Sequence, residues 1–252
     1  MKNFARQHPA FFSLLVVAAY DPGLTTILRL LMHRDQLQLS GLLTSQIVLV
    51  LYVACLLYLL KWWREAGFTL KADRRSVMVY LPWLLLPLLV LADTTEVTAS
   101  PERILGFAAF TLFVGFAEEG LIRGVVLRAL LPHGAMRAAL LSALIFGAAH
   151  LSNAFQGKEV APVIVQVIYA IFIGIGFAGC RLYTGTIWPA IIVHGLIDFT
   201  DIASRNFTLT GGPQPFTPAQ AIAPIVITGL YALYGLWLIR RYRRTDGQTE
   251  PA

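Results

Sequence analysis

Two adjacent glutamates and an arginine lie inside a long apolar run, where charged side chains are expensive and by default indicate a functional site. Glu118 and Glu119 are followed by Arg123, four residues beyond Glu119. On a helix, Glu119 and Arg123 share a face and are expected to pair. Glu118 is turned away by roughly 100°, which leaves it without a partner on its own helix. We therefore predict that Glu118 acts as a general base on water.

Two later apolar runs each carry a histidine at a helical spacing from a second notable residue. Phe146 precedes His150 by four residues, and His194 precedes Asp198 by four. Either histidine alone could be a core side chain bonded to a backbone carbonyl. Together, they are expected to converge with Glu118 and Asp198 on one water-activating site. Asp198 would either hold the His194 ring by a hydrogen bond or line the site itself.

The same four residues could instead bind a metal ion. Carboxylates and imidazoles are common zinc ligands, and Glu118, His150, His194 and Asp198 are the alternative ligand set. However, no His-Glu-x-x-His sequence occurs, and such a sequence would place two ligands on one helix. A site without metal or other cofactor is the first expectation, and zinc is the alternative.

The composition predicts the elements that must position these residues. The chain has 252 residues, of which 57% are hydrophobic and 13% charged, about half the charged fraction of soluble domains. Apolar runs of about 20 residues recur, which is typical of membrane helices. We predict an all-α, polytopic membrane helical bundle of about eight transmembrane helices, forming one domain (1–252) with a catalytic core at 104–200. The predicted spans are 10–32, 41–60, 77–91, 104–131, 138–151, 160–183, 187–200 and 219–239.

The charge pattern predicts how the helices are oriented. The net charge is +6, but Lys and Arg cluster at the ends of apolar runs, so it reflects membrane orientation and not a nucleic-acid partner. The basic loop 61–75 and the arginines at 240–244 fall on the same side, which is expected to be cytoplasmic. Both termini are then cytoplasmic, and a bacterial inner (plasma) membrane is expected. Asp21-Pro22-Gly23 interrupts the first span, which is read as a kinked span or, alternatively, as a signal-like start.

The three motifs, in this order and on separate spans, resemble those of the CPBP (CAAX protease and bacteriocin-processing, or Abi) family of intramembrane peptidases, which includes the Ras-converting CAAX endopeptidases. The resemblance covers residues 104–200, under half of the chain. It implies that Glu118 and His150 activate water, that His194 and Asp198 stabilise the oxyanion, and that Glu119, Arg123 and Phe146 are structural or assisting. The CAAX enzymes usually carry Asn where this chain has Asp198. An ionised Asp cannot donate a hydrogen bond, so Asp198 is either protonated or orients His194.

These observations lead to the prediction of an intramembrane endopeptidase that acts on a membrane-associated protein or peptide, with the lipid bilayer as its other partner. The alternatives are a non-catalytic bacteriocin-immunity or scaffold protein of the same fold, a zinc-dependent membrane protease, and a proton-coupled transporter. Buried Glu, His and Asp also form proton relays. The chain shows no matched pair of broken helices in two halves, which argues against the transporter.

Overall fold

The structure is a computed structural model that describes residues 1–31, 38–69, 73–92, 97–155, 157–207 and 217–246. The described chain is all-α, as predicted, and contains no strand. Its α-helices are α1 (Lys2–Gln7), α2 (Pro9–Ala18), α3 (Thr25–Leu31), α4 (Leu39–Leu60), α5 (Arg74–Tyr80), α6 (Leu85–Ala92), α7 (Pro101–Glu119), α8 (Leu127–Leu130), α9 (Ala135–Ala149), α10 (Ser152–Phe155), α11 (Val160–Thr184), α12 (Trp188–Ser204) and α13 (Pro218–Asp246).

Most of these helices are long and apolar enough to cross a membrane. Seven candidate spans occur in the described residues: Pro9–Leu28, Leu39–Leu60, Arg74–Ala92, Pro101–His133, Ala135–Phe155, Val160–Thr184 and Ala221–Tyr242. The predicted span 187–200 corresponds to α12, which has 17 residues. At about 1.5 Å per residue it is roughly 26 Å long, slightly shorter than a hydrocarbon core of about 30 Å. The chain is therefore a multi-pass membrane protein with close to the predicted number of spans.

Two of the spans are irregular at the positions where polar residues enter the bundle. A π-helical segment, Gly120–Val126, joins α7 to α8, and such bulges are frequent at functional sites. The other irregularity, at Ala19–Leu24, is a kink between α2 and α3 in which Asp21 has an extended conformation. The first apolar segment therefore contains two helices joined by a kink, and Pro9–Leu28 is one of the candidate spans.

Glycines allow the helices that carry the site to approach one another closely. A Cβ atom on Gly115 of α7 would lie 2.5 Å from the Ile191 carbonyl oxygen of α12, and one on Gly195 of α12 would lie 3.1 Å from the Thr111 carbonyl oxygen. In α11, Gly179 meets the backbone of Gly235 in α13. Small residues at membrane helix interfaces permit this approach. The contact between α7 and α12 sets the distance between the glutamates and His194.

Basic and aromatic side chains meet at one end of the bundle. The Arg128 guanidinium lies over the Trp62 ring, 5.5 Å from its centroid. Arg181, near the end of α11, donates to the carbonyl oxygens of Ala66 and Glu65 at 3.1 and 2.9 Å. The loop after α4 is therefore fastened to the bundle. The described residues do not include 70–72, which belong to the basic loop 61–75. They also do not include 247–252, which follow the terminal arginines.

Candidate functional site

A buried ion pair joins the end of α7 to the π-helical segment that follows it. Glu119 Oε1 lies 3.0 Å from Arg123 Nη1, and both side chains are fully buried, so the predicted pair is present. The guanidinium also stacks on two aromatic rings, 4.4 Å from the centroid of Phe146 and 5.6 Å from that of Phe177. Within the described part of the chain, its N–H groups have no well-aligned hydrogen-bond acceptor. Opposite charge and ring faces therefore hold Arg123 in place.

His194 connects this ion pair to the two remaining carboxyl groups. Its Nδ1 lies 2.7 Å from Glu119 Oε1, and because an ionised carboxylate can only accept, Nδ1 carries the proton. The other ring nitrogen, Nε2, lies 3.7 Å from Glu118 Oε2 and 3.6 Å from Asp198 Oδ2. Glu118, His194 and Asp198 are thus close together.

The structure chooses between the two geometries that the sequence allowed for Asp198. The His194 ring is held by the hydrogen bond that its Nδ1–H donates to Glu119, 75 positions away in sequence, and not by a bond to Asp198 in the same helix. Asp198 lies beside Nε2 at a distance beyond that of a hydrogen bond. Helical spacing does not predict the contact of Glu119 with His194, because it indicates neighbours only within one helix.

His150 is held at the end of α9 by its own helix. Its Nδ1 donates to the carbonyl oxygen of Phe146 at 2.9 Å, since a carbonyl oxygen only accepts. Its ring packs edge-on against the Phe146 ring, with centroids 4.8 Å apart and an interplanar angle of 85°. Nδ1 therefore makes the backbone hydrogen bond expected of a core histidine. The other ring nitrogen, Nε2, makes no such bond within the described residues and can accept a hydrogen bond from water.

Glu118 and His150 border the same cavity inside the bundle. The cavity has a volume of about 210 Å³, enough for several water molecules at about 30 Å³ each. Much of its lining is polar, which favours water. Its lining residues are Val17, Tyr20, Asp21, Thr25, Gln46, Leu49, Glu118, Leu121, Ile122, Phe146, Ala149, His150, Ser152, Asn153 and Gln166. His194 and Asp198 are not among the lining residues, but His194 Nε2 lies 3.7 Å from Glu118 Oε2 and 3.6 Å from Asp198 Oδ2.

Several polar residues of this cavity were not predicted from sequence. Asn153 donates to Gln166 at 2.9 Å, and Asp21 and Gln46 also face the cavity. Asp21 carried a usable signal, because it is a carboxylate within an apolar run, the same criterion that identified Glu118. The adjacent Pro22 and Gly23 also predict the break in the helix, which obscures that signal.

The charges of the cluster do not balance if every carboxyl group is ionised. Glu118, Glu119 and Asp198 would carry three negative charges, against one positive charge on Arg123. In surroundings of low dielectric constant such an excess is costly. The cluster is therefore suited to keeping additional protons, on His194 or on a carboxyl group. A site that moves protons to and from water needs this property.

The zinc alternative can be compared with the positions of these side chains. Among the described residues, no group of three or more His, Cys, Asp or Glu side chains is arranged to hold a metal ion. Each histidine uses Nδ1 for a hydrogen bond within the protein. Histidines that bind a metal through one ring nitrogen commonly donate such a hydrogen bond from the other, so zinc stays an alternative to a site without metal.

Residues 100–200 match a family model described as type II CAAX prenyl endopeptidase, Rce1-like. The match confirms the resemblance seen in the motifs and spans all seven motif residues, although it covers less than half of the chain. No curated protein and no solved structure matches the chain significantly. The family match and the apolar helices support a membrane-embedded peptidase.

Proposed function

We propose that the protein is an intramembrane endopeptidase that hydrolyses a peptide bond with water activated by Glu118. One observation carries the proposal: Glu118 and His150 border the same polar cavity within a bundle of membrane helices. Hydrolysis inside a bilayer requires a space that water can enter, and the polar side chains that line the cavity favour water. The family match supports the same class of reaction.

The proposed reaction begins with a water molecule between Glu118 and His150. Glu118 takes a proton from the water while the water oxygen attacks the peptide carbonyl carbon, and a tetrahedral oxyanion forms. The C–N bond then breaks, and Glu118 passes the proton to the departing amine. With Nδ1 bonded to the Phe146 carbonyl, His150 presents Nε2 to the water as an acceptor that orients it. General acid–base catalysis of this kind typically contributes about 10²–10⁴-fold.

His194 and Asp198 are proposed to stabilise the oxyanion. A proton on His194 Nε2 would make this atom a donor, and its partner Glu119 stabilises the resulting imidazolium through the 2.7 Å hydrogen bond at Nδ1. Asp198 contributes a donor only when protonated, and otherwise stabilises the charge on His194. Loss of one oxyanion donor typically costs on the order of 10²–10³ in kcat. Glu119, Arg123 and Phe146 hold these groups in position.

The substrate is proposed to be a membrane-associated protein or peptide, prenylated only if the host prenylates its proteins. The location proposed from charge pattern is a bacterial inner membrane with both termini in the cytoplasm. The basic end of the bundle, with Arg128 and Arg181, supports this orientation.

The experiment compares wild type with Glu118→Gln in detergent, using a quenched library of membrane peptides with and without a strong chelator. The proposal predicts cleavage by wild type that survives chelation and is lost in Glu118→Gln, while both proteins remain folded. Undiminished cleavage by folded Glu118→Gln would overturn the mechanism. Cleavage that chelation abolishes and zinc restores would favour a metalloprotease. Absence of cleavage by wild type would favour the non-catalytic immunity or scaffold role.

A further inference from the structure

Asp21 lies where the first membrane helix breaks, facing the cavity that also contains Glu118 and His150. Its backbone is extended (φ −141°, ψ 118°) between helical neighbours. Pro22 accounts for the break, because it has no N–H and disfavours a helical conformation in the residue before it. The first helix thereby adds a carboxylate to the lining of the cavity. Asp21 lies outside residues 100–200, the region of the family match.

Both carboxyl oxygens of Asp21 accept hydrogen bonds from hydroxyl groups. Thr25 donates to Oδ1 at 2.6 Å, within the kinked helix itself. Ser152 donates to Oδ2 at 2.7 Å, across 131 positions in sequence. Ser152 is 8% exposed, and a buried hydroxyl that loses its hydrogen-bond partner is costly. Asp21 is therefore a fixed link between two distant segments.

The link reaches the turn that carries His150. This turn leads from α9 to α10, and Ser152 stands two residues after His150. Short-range backbone bonds form the turn: His150 N–H donates to Gly147 at 3.1 Å, and Asn153 N–H donates to His150 at 3.1 Å. Regular α-helical bonds end here, so the turn depends more on bonds from elsewhere in the protein than the helix before it does.

We infer that Asp21 is a positioning residue that fixes the His150 turn against the cavity through its hydrogen bond to Ser152. This inference rests on the proposed function, in which His150 orients the attacking water. Asp21 acts by accepting hydrogen bonds and not by its charge. Asp21→Asn keeps an acceptor oxygen and adds an amide donor that a hydroxyl can accept. The asparagine variant therefore preserves the link, whereas Asp21→Ala removes it.

The test measures backbone hydrogen exchange of residues 150–155 by mass spectrometry in detergent, which does not depend on activity. Wild type is compared with Asp21→Ala, Asp21→Asn, Ser152→Ala and the double variant Asp21→Ala/Ser152→Ala. Ser142→Ala is the matched control, because it removes a buried hydroxyl of α9, the helix before the turn, that bonds only to Ala139 among the described residues. Exchange reports local opening of the turn.

We expect exchange of the turn to accelerate roughly ten-fold in Asp21→Ala and in Ser152→Ala. The double variant should be no faster than either single one, because both substitutions remove the same link. Asp21→Asn and Ser142→Ala should exchange like wild type. In a cleavage assay, kcat should fall in Asp21→Ala and in Ser152→Ala while KM changes little. Asp21→Asn should keep most of the wild-type kcat.

Three results would overturn the inference: unchanged exchange in Asp21→Ala, equal acceleration in Ser142→Ala, or multiplied effects in the double variant. If Asp21→Asn behaved like Asp21→Ala, the charge of Asp21 and not its hydrogen bonding would be responsible. If the exchange pattern held while wild type cleaved no peptide, the link would stand and the proposed function would fail. The two proposals can therefore fail separately.

Discussion

The imidazole Nδ1 of His194 donates a 2.7 Å hydrogen bond to Glu119 Oε1, the same oxygen that lies 3.0 Å from Arg123 Nη1. One carboxylate oxygen thus holds a ring from α12 and a guanidinium from its own helix. Glu119 is fully buried and Arg123 nearly so. This relationship orients His194 towards Glu118 and Asp198, and it makes Glu119 a structural centre of the site.

Removal of the Glu119 carboxylate should destabilise the protein strongly. Glu119→Ala leaves the Arg123 charge buried and unpaired, which typically costs about 3–5 kcal/mol. Glu119→Gln keeps an acceptor for His194 and should cost less. The measurement is unfolding of the purified protein in detergent. Glu119→Leu/Arg123→Met, which removes both charges, should recover part of the stability, and a Glu119→Ala variant as stable as wild type would contradict the buried pair.

His150→Ala should lower kcat by about 10²–10⁴-fold while the protein stays folded, because the group proposed to orient water is lost. His133→Ala is the control, since His133 is exposed and lies at the end of the short helix after α8. The measurement is initial-rate cleavage of a peptide identified with wild type, together with unfolding in detergent. Equal rates for the two variants would argue against a role of His150 in the reaction.

Asp198→Asn should retain cleavage within about ten-fold of wild type, because an amide donates a hydrogen bond to an oxyanion without needing an added proton. Asp198→Leu has a similar size but no donor, and it should lose on the order of 10²-fold or more in kcat. The measurement is kcat for both variants on the same substrate. If Asp198→Asn were as impaired as Asp198→Leu, the negative charge beside His194 would be the property that matters.

Gly115→Ala should force α7 and α12 apart. Its new Cβ would lie 2.5 Å from the Ile191 carbonyl oxygen, and overpacking of this kind costs about 1–3 kcal/mol. Activity should fall as well, since this contact sets the spacing of Glu118 and His194. Gly229→Ala is the matched control, because its new Cβ would lie at an ordinary contact distance, 3.7 Å, from the Phe172 ring. Unfolding in detergent should separate the two variants, and equal stability would contradict the close approach.

Cysteine labelling in intact cells should report the proposed orientation. Glu65→Cys and Lys158→Cys place an exposed thiol at opposite ends of the bundle. The positive-inside rule puts Glu65 in the cytoplasm, so a membrane-impermeant maleimide should label only the second variant until the cells are opened. Wild type is the control for labelling of the two native cysteines, Cys55 and Cys180. Labelling of Glu65→Cys in intact cells would reverse the orientation.

The sequence by itself determined the fold class, the approximate number of spans and the residues in the three motifs. Apolar runs of membrane length have few structural alternatives, because backbone groups in lipid must be bonded within the helix. Helical spacing also predicted the pairing of Glu119 with Arg123, since residues four apart lie on one face. These properties are local, and they can be read within a single helix.

Only the tertiary structure decided which side chains meet between helices. The bond from His194 to Glu119 depends on how closely α7 and α12 approach at Gly115 and Gly195. The bond from Asp21 to Ser152 depends on a kink that brings the first helix to the end of α9. Such contacts are set by crossing angles and by packing at small residues. No periodicity within one helix contains that information.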